Sequence, residues 1–437
     1  MVQVLLFVTT KYLKMQQLVV ACIFLLGLVY SERVHYYGDK VFRIIPKTAE
    51  ESDWLHSWVE STLTKLDVWS NPKGVGRMTD IHVRATDVES VTEVLQQKAI
   101  NFTITIEDLE KVINQEQTFN QLFSYNTGVY SFDKFNRYFD IDAQLTQFAS
   151  RNYNHAKVTK FQMGTSFERR KINGIKISGL SGPAIKPAIW VDGGIHAREW
   201  IATATVMYLA KLLLQPIQNA EKVLTKYDIY IVPVVNVDGY EYTHVGERLW
   251  RKTRSNCSPN TRCCGVDPNR NWDNNFGGPG TSTNACSDIY PGKKPFSEPC
   301  VKALSESLSK LKNSPGGLKS YWNVHAYSQL LLTPVGYTTN LPKDYNEIER
   351  VGKEFAKAVR GTFGRSFEVG PPSRILYSVG GSSIDWTYDN LGVIYSYVPE
   401  LRPSGNAANG FIVPPTEIRY SGEEFTAGFL AAALEMK

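Results

Sequence analysis

The chain has 437 residues, with 48 Lys and Arg against 43 Asp and Glu and a formal net charge of +5. That length allows one small and one large domain, and a hydrophobic share of 43% is that of a globular chain. The pI near 8.6 is only mildly basic and no long Lys/Arg run occurs, so neither nucleic acid nor an anionic membrane is implied as a partner.

At the N-terminus an apolar run, Leu18 to Val29, follows Lys11 and Lys14 and precedes Tyr30-Ser31-Glu32. This is the outline of a signal peptide cut after Ser31, and the run is shorter than the ~20 residues a membrane-spanning helix needs. The expected destination is secreted and extracellular. Met15 opens a more ordinary signal than Met1, so residues 1–14 read as an upstream extension of the 1–31 signal.

Residues 32–118 have an architecture of their own. Val41 to Ile45, Leu66 to Trp69, Ile81 to Ala85 and Phe102 to Ile106 read as strands, and Ala49 to Thr64 and Val88 to Gln97 as helices. The order β-α-β-β-α-β predicts a small α+β domain of split βαβ, ferredoxin-like type. A helical connector, Ile106 to Gln121, follows.

From residue 119 to 437 the pattern changes. Ala188 to Val191, Ile229 to Val235, Tyr321 to His325 and Val393 to Val398 are strand-like, while Ile201 to Leu214, Asn346 to Val359 and Glu423 to Glu435 are helical. Such alternation argues an α/β fold of three layers.

Within that region His196 and Glu199 stand in Ile-His-Ala-Arg-Glu-Trp, and His325 stands in Asn-Val-His-Ala-Tyr-Ser-Gln. Residues three apart in a helical or tight turn project to one side, so the first pair can reach one ion. Two imidazoles and a carboxylate leave one zinc position open for water, whereas a structural zinc closes its tetrahedron with four protein ligands. Pro187 to Gly194, just before, reads as a buried strand stopping at a turn, the kind of place where α/β folds build sites. No Gly-x-Ser-x-Gly and no His-Glu-x-x-His occurs, which disfavours serine hydrolases and zincins. His35, His56, His82, His155 and His244 match no ligand motif and read as surface or packing residues.

Further motifs follow in order: Trp-Arg-Lys-Thr-Arg at 250–254, Asp-Pro-Asn-Arg-Asn-Trp at 267–272, Ile-Leu-Tyr-Ser at 375–378 and Pro-Glu-Leu-Arg at 399–402. Taken singly, each has a plainer reading. Arg251, Lys252 and Arg254 make an exposed basic loop, Asp267 to Trp272 a polar turn, Tyr377 a core aromatic and Glu400 a salt-bridge partner for Arg402. Taken jointly beside the zinc pair, they resemble the zinc metallocarboxypeptidases of the carboxypeptidase A and B family, in zymogen form, from about residue 32 to the C-terminus.

The resemblance implies one zinc per chain, held by His196, Glu199 and His325, the ligand set known for carboxypeptidase A. It implies Arg254 as the electrophilic arginine facing the scissile carbonyl and Arg251 as an auxiliary substrate contact. Asn269 and Arg270 match the clamp for the substrate carboxylate, Asp267 the partner that orients the first zinc histidine, and Tyr377 the mobile tyrosine. Arg198 and Tyr327 are further substrate contacts, and Glu400 matches the catalytic glutamate, which works as general base and then acid. Ile384 matches the floor of the specificity pocket, with Gly336 beside it. An apolar floor suits aromatic or aliphatic C-terminal residues, the A-type preference, although Pro372, Ser382, Ser383, Pro399 and Pro403 depart from the pattern.

The same resemblance implies a twisted mixed sheet of eight strands, a catalytic domain at 119–437, and an activation propeptide at 32–118 that covers the cleft. The partners are peptide and protein C-termini and an activating protease, and the chain is expected to be a monomer. Family zymogens are commonly cut after Arg or Lys, yet 112–124 holds no basic residue; Lys111 is nearest and Lys134 lies farther in. A non-catalytic member that binds peptide C-termini is the alternative, and the complete set of ligands, glutamate and arginine clamp weighs against it.

Cys22 leaves with the signal and the other five cysteines cluster between 257 and 300, which fits an oxidising compartment. The resemblance implies a Cys263–Cys286 disulfide. Cys257, Cys264 and Cys300 lie outside that pattern, and two of them can pair. Asn101-Phe-Thr and Asn256-Cys-Ser are candidate glycosylation acceptors.

Overall fold

A computed structural model describes residues 33–62, 66–70, 74–122, 129–258, 261, 263–404 and 409–437. The signal-peptide expectation for 1–31, with Cys22, lies outside the described residues.

The small domain runs β1 (Lys40–Ile44), α1 (Ala49–Thr62), β2 (Asp67–Ser70), β3 (Thr79–Val83), α2 (Val88–Gln97) and β4 (Phe102–Ile106). Its four strands are antiparallel in the order β2-β3-β1-β4. Alternation along the strands decides both faces. Phe42, Ile44, Ile81 and Val83 meet Leu55 and Val59 of α1 and Val91 and Leu95 of α2, each helical pair spaced four apart. The other face carries Val41, Trp69, Asp80 and His82, and it does not meet water. Val41 and Trp69 join the core of the large domain. The connector α3 (Leu109–Leu122) begins three residues later than expected because Ile106 closes β4.

The large domain adds α4 (Tyr138–Ser150), β5 (Ala156–Thr165), β6 (Lys171–Gly179), β7 (Ala188–Gly193), α5 (Trp200–Leu213), α6 (Gln218–Lys226), β8 (Asp228–Val232), α7 (Val237–Val245) and α8 (Pro299–Lys312). There follow β9 (Leu318–Ser328), β10 (Leu330–Leu332), α9 (Tyr345–Phe363), β11 (Glu368–Gly370), α10 (Pro372–Ile375), α11 (Ser383–Asp389), β12 (Tyr395–Ser404) and α12 (Glu417–Glu435). Eight strands form one mixed sheet in the order β11-β10-β12-β9-β7-β8-β6-β5. The central strands β12, β9, β7 and β8 are parallel, and β7 is buried along its whole length. Strands covered on both faces read as near-continuous apolar runs, which is why β7 and β8 were legible. The edge strand β5, antiparallel to β6, is partly exposed and carries no such signal.

Alternation in β9 sets up the site. Trp322 points into an aromatic cluster with Phe355, Tyr397, Phe425 and Phe429. Asn323 and His325 point the other way. An anchor such as Trp322 is worth about 3–5 kcal/mol when cut to Ala, and here it holds the strand that carries His325.

Cys263 pairs with Cys286 as expected, and Cys257 pairs with Cys264, which leaves Cys300 as a buried thiol. Among the described residues no single helix is long and apolar enough to cross a membrane.

His82 lies between two carboxylates, 2.9 Å from Asp39 and 3.3 Å from Asp67, with the Tyr36 and Trp69 rings beside it. Burial opposes its charge, but the two aspartates outweigh it and raise the imidazole to about 8. A raised value stabilises the fold fully below the ordinary 6.5 and is lost as pH rises through about 8, at most on the order of 2 kcal/mol. The stability difference between the parent and His82→Gln, from denaturant unfolding, should shrink from pH 6.5 to 9; a constant difference would contradict this.

Candidate metal centre and peptide cleft

The C-terminal ends of β7, β9 and β12 meet at one place, the usual location of sites in open α/β sheets. β7 stops at Gly193, and Gly194 turns the chain with φ +59°; a Cβ there would lie 2.7 Å from Thr203 Oγ1. The tight turn 195–199 follows. Glu199 occupies the N-cap position of α5, yet its carboxylate makes no capping bond. It faces the histidines instead: Oε1 lies 2.8 Å from His196 Nδ1 and Oε2 lies 3.0 Å from His325 Nδ1. All three side chains are buried, with ligand atoms within 4.8 Å of one another. Two nitrogens and a carboxylate in that space suit a zinc ion with a position left for water.

The outer nitrogens are held as well. His196 Nε2 lies 3.1 Å from Asp267 Oδ1, which also accepts the Asn269 N–H at 2.9 Å. Asp267 Oδ2 accepts Nε and Nη2 of Arg251 at 3.1 and 2.8 Å. His325 Nε2 lies 2.5 Å from Asn323 Oδ1. Glu400 sits opposite His325 in the β12–β9 pair. Arg402, the partner in the plainer reading, is taken by Glu424 and Glu417, so Glu400 is left to the cleft. Enclosure, with Glu199 nearby, pushes the Glu400 carboxyl up to about 8 against the pull of His325, Arg251 and Arg270. A divalent cation at the three ligands would draw it down again.

The cleft has a volume of about 470 Å³ and is lined by the three ligand side chains and by Arg198, Arg251, Asn269, Arg270, Tyr327, Tyr377, Ile384 and Glu400. Arg270 spends Nε on Gly280 O and one Nη1 hydrogen on Asn269 O, so its outer edge stays open, with Nη2 3.5 Å from Tyr377 Oη. Arg254 is not among the lining residues. Its guanidinium lies over Tyr242 at 3.6 Å and Trp250 at 4.6 Å, whereas Arg251 borders the cleft and is tied to His196 through Asp267. Of the two arginines in this segment, Arg251, three residues earlier in the motif, is thus the one that borders the cleft. Lys252 is buried and donates to Ala285 O at 2.7 Å, so this segment is no exposed basic loop.

The small domain closes the same cleft, contributing Leu66, Val68, Trp69 and Ser70 to its lining. Asp67 accepts from Arg198 Nη1 at 2.8 Å, and Asp80 accepts from Tyr327 Oη at 2.8 Å. Trp69 meets Phe411 edge to face at 5.3 Å. Glu116 of α3 binds Arg248 through two bonds of 2.6 and 2.9 Å, both side chains buried. Sequence reasoning missed Arg248, Phe411, Asn323 and these docking acids. Asp80 and His82 alternate with Ile81 and Val83 and so read as a water-facing side, when that side faces the second domain. Lys111 is exposed on α3, while Lys134 is buried.

A buried two-histidine, one-carboxylate centre at the strand ends of a mixed sheet, under a separate covering domain, defines a metal-dependent hydrolase with a built-in cover. Comparison with known proteins narrows this. The chain belongs to the zinc carboxypeptidase family, whose model matches residues 143–428, and a carboxypeptidase activation peptide model matches 42–116. It is 37% identical to carboxypeptidase A2 of Rattus norvegicus over 410 residues, covering 92% of this chain and 95% of that protein. Carboxypeptidase A4 of Mus musculus is 36% identical, with the same coverage. Among solved structures, carboxypeptidase A from Helicoverpa armigera superposes with a TM-score of 0.82 at 26% identity, covering 92% of this chain and 98% of that one. Thrombin activatable fibrinolysis inhibitor gives 0.79 at 30% identity, covering 92% and 99%. The protein is thus a metallocarboxypeptidase, a hydrolase of C-terminal peptide bonds, and its activation peptide implies opening by a protease.

Proposed function

We propose that this protein is a secreted zinc exopeptidase zymogen that releases aromatic or aliphatic C-terminal residues. Residues 32–118 act as its activation peptide and 119–437 as its catalytic domain. The observation that carries this reading is the alignment of the three buried ligands, Glu400 and the open edge of Arg270 along one cleft. His196, Glu199 and His325 would hold one zinc per chain. Zinc so bound supplies a water with a pKa lowered towards roughly 7 and polarises the scissile carbonyl.

The remaining work belongs to the side chains. Glu400 takes the proton of the attacking water and delivers it to the leaving amine. Arg251, rather than Arg254, offers donors to the charge developing on the carbonyl oxygen. Arg270 and Asn269 bind the free carboxylate, and a planar guanidinium with its outer edge open favours two parallel bonds. Only the last residue of a substrate offers that group, so cleavage is confined to the final bond. Tyr377 stands beside Arg270, where it can close over the substrate. Ile384, buried among the cleft-lining residues, would form the pocket floor, and Leu332, Leu376 and Val398 add further apolar lining.

With the activated protein and matched peptides, release of C-terminal Phe or Leu should exceed that of Arg or Lys, and a C-terminal amide should block release. Faster release of Arg would overturn the A-type preference. Arg251→Met should lower kcat by roughly 10² to 10³, the usual effect of losing one oxyanion donor, and Arg254→Met should change it only severalfold. The reverse ranking would return the electrophilic role to Arg254.

A further inference from the structure

Behind His325 lies a pair of polar side chains that the reaction does not use. Strands β7 and β9 run parallel with Asp192 opposite Asn323, and both side chains are fully buried. Asp192 accepts Trp190 Nε1–H on Oδ2 at 2.8 Å, and on Oδ1 it accepts the amide nitrogen of Asn323. An ionised carboxylate can only accept, so the amide nitrogen must face it and the amide oxygen must face away. That oxygen lies 2.5 Å from His325 Nε2, with the Ser383 hydroxyl at 3.2 Å as its second donor. An amide oxygen at such a distance requires a hydrogen on Nε2. The free lone pair of His325 is then on Nδ1, the atom that faces Glu199 at 3.0 Å. The Asn269 amide nitrogen, 3.5 Å from the same Nε2, is a longer neighbour whose own oxygen accepts the Ser383 N–H at 3.0 Å.

We infer that Asn323, with its amide polarity fixed by Asp192, is the positioning residue that sets the tautomer and ring orientation of His325 for metal binding through Nδ1. It does for the second histidine what Asp267 does for the first, but with a neutral group whose direction is borrowed from a carboxylate one strand away. The inference rests on the reading of His325 as a metal ligand.

The test reads zinc affinity in the full-length protein by competition with a chromophoric chelator. Burial pushes the Asp192 carboxyl up to about 7, so the measurement is made on the alkaline side of that value, where the ionised form dominates. Asp192→Asn introduces an amide that can donate to Asn323 and let it turn its nitrogen towards His325. Zinc affinity should fall roughly 10- to 100-fold, the usual effect of losing an outer partner of a metal-bound histidine. Asn323→Leu removes the acceptor and should weaken binding to a similar extent. The swapped pair, Asp192→Asn with Asn323→Asp, restores an acceptor beneath Nε2 and should recover most of the affinity. Parent-like affinity in Asp192→Asn or Asn323→Leu, in protein with a parent-like thermal transition, would overturn the inference, as would a swapped protein no tighter than Asp192→Asn. His325→Ala separates the two levels of the claim. If it binds zinc as the parent does, the ligand reading itself fails; if it loses zinc while Asp192→Asn keeps it, only the role of Asn323 fails.

Discussion

The carboxylate of Asp267 joins parts of the site that lie far apart in the chain. One oxygen fixes the outer nitrogen of His196 and the N–H of Asn269, and the other holds two nitrogens of Arg251. Burial works against this charge, but Arg251 and His196 hold the carboxyl well below the usual carboxylate range. The proposed metal ligand His196, the proposed oxyanion donor Arg251 and Asn269 of the proposed carboxylate clamp thus share one buried anchor. Removing it would leave Arg251 as an uncompensated charge, a loss of about 3–5 kcal/mol for a buried pair, and would free the His196 ring at the same time.

The covering domain follows the same logic with the charges arranged across an interface. It brings carboxylates to groups of the catalytic domain: Asp67 to Arg198 and Asp80 to Tyr327, both of which border the cleft, and Glu116 to the buried Arg248. Arg198 lies between His196 and Glu199 in sequence, so the docking contact reaches the turn that carries two of the three proposed ligands. Trp69 on Phe411 and the shared core under Val41, Ile106, Leu109 and Ile113 add apolar burial. Charge pairs of this kind set register and orientation, while the apolar contacts supply most of the stability.

The sheet centre and the small domain were legible because β7 and β8 are largely apolar, β9 and β12 carry aromatic and β-branched runs, and half-buried strands alternate. The outer hairpin β5–β6, the short β10 and β11 and helices such as α8 and α11 escaped detection because their patterns are short or mixed. In the site, motif order brought His196, Glu199, His325, Asn269, Arg270, Tyr377, Ile384 and Glu400 into view, and the structure gathers them round one cleft. Motif order gave the electrophilic role to Arg254 and an auxiliary contact to Arg251, three residues apart in one basic segment. It carried no information on which guanidinium would find Asp267 and which the rings of Tyr242 and Trp250. The disulfide choice among Cys257, Cys264 and Cys300 was likewise a matter of distance in space, and Asn323 gave no sign because an asparagine in a strand has no motif.

The central claim is that one metal ion at His196, Glu199 and His325 drives hydrolysis of the last peptide bond. Its most direct test is to strip the activated protein with a chelator and titrate zinc back while following release of a C-terminal residue. Activity absent after stripping should return linearly and level off at one zinc per chain, and His196→Ala should show no such return. Hydrolysis that persists in the stripped protein, or that zinc fails to restore, would contradict it.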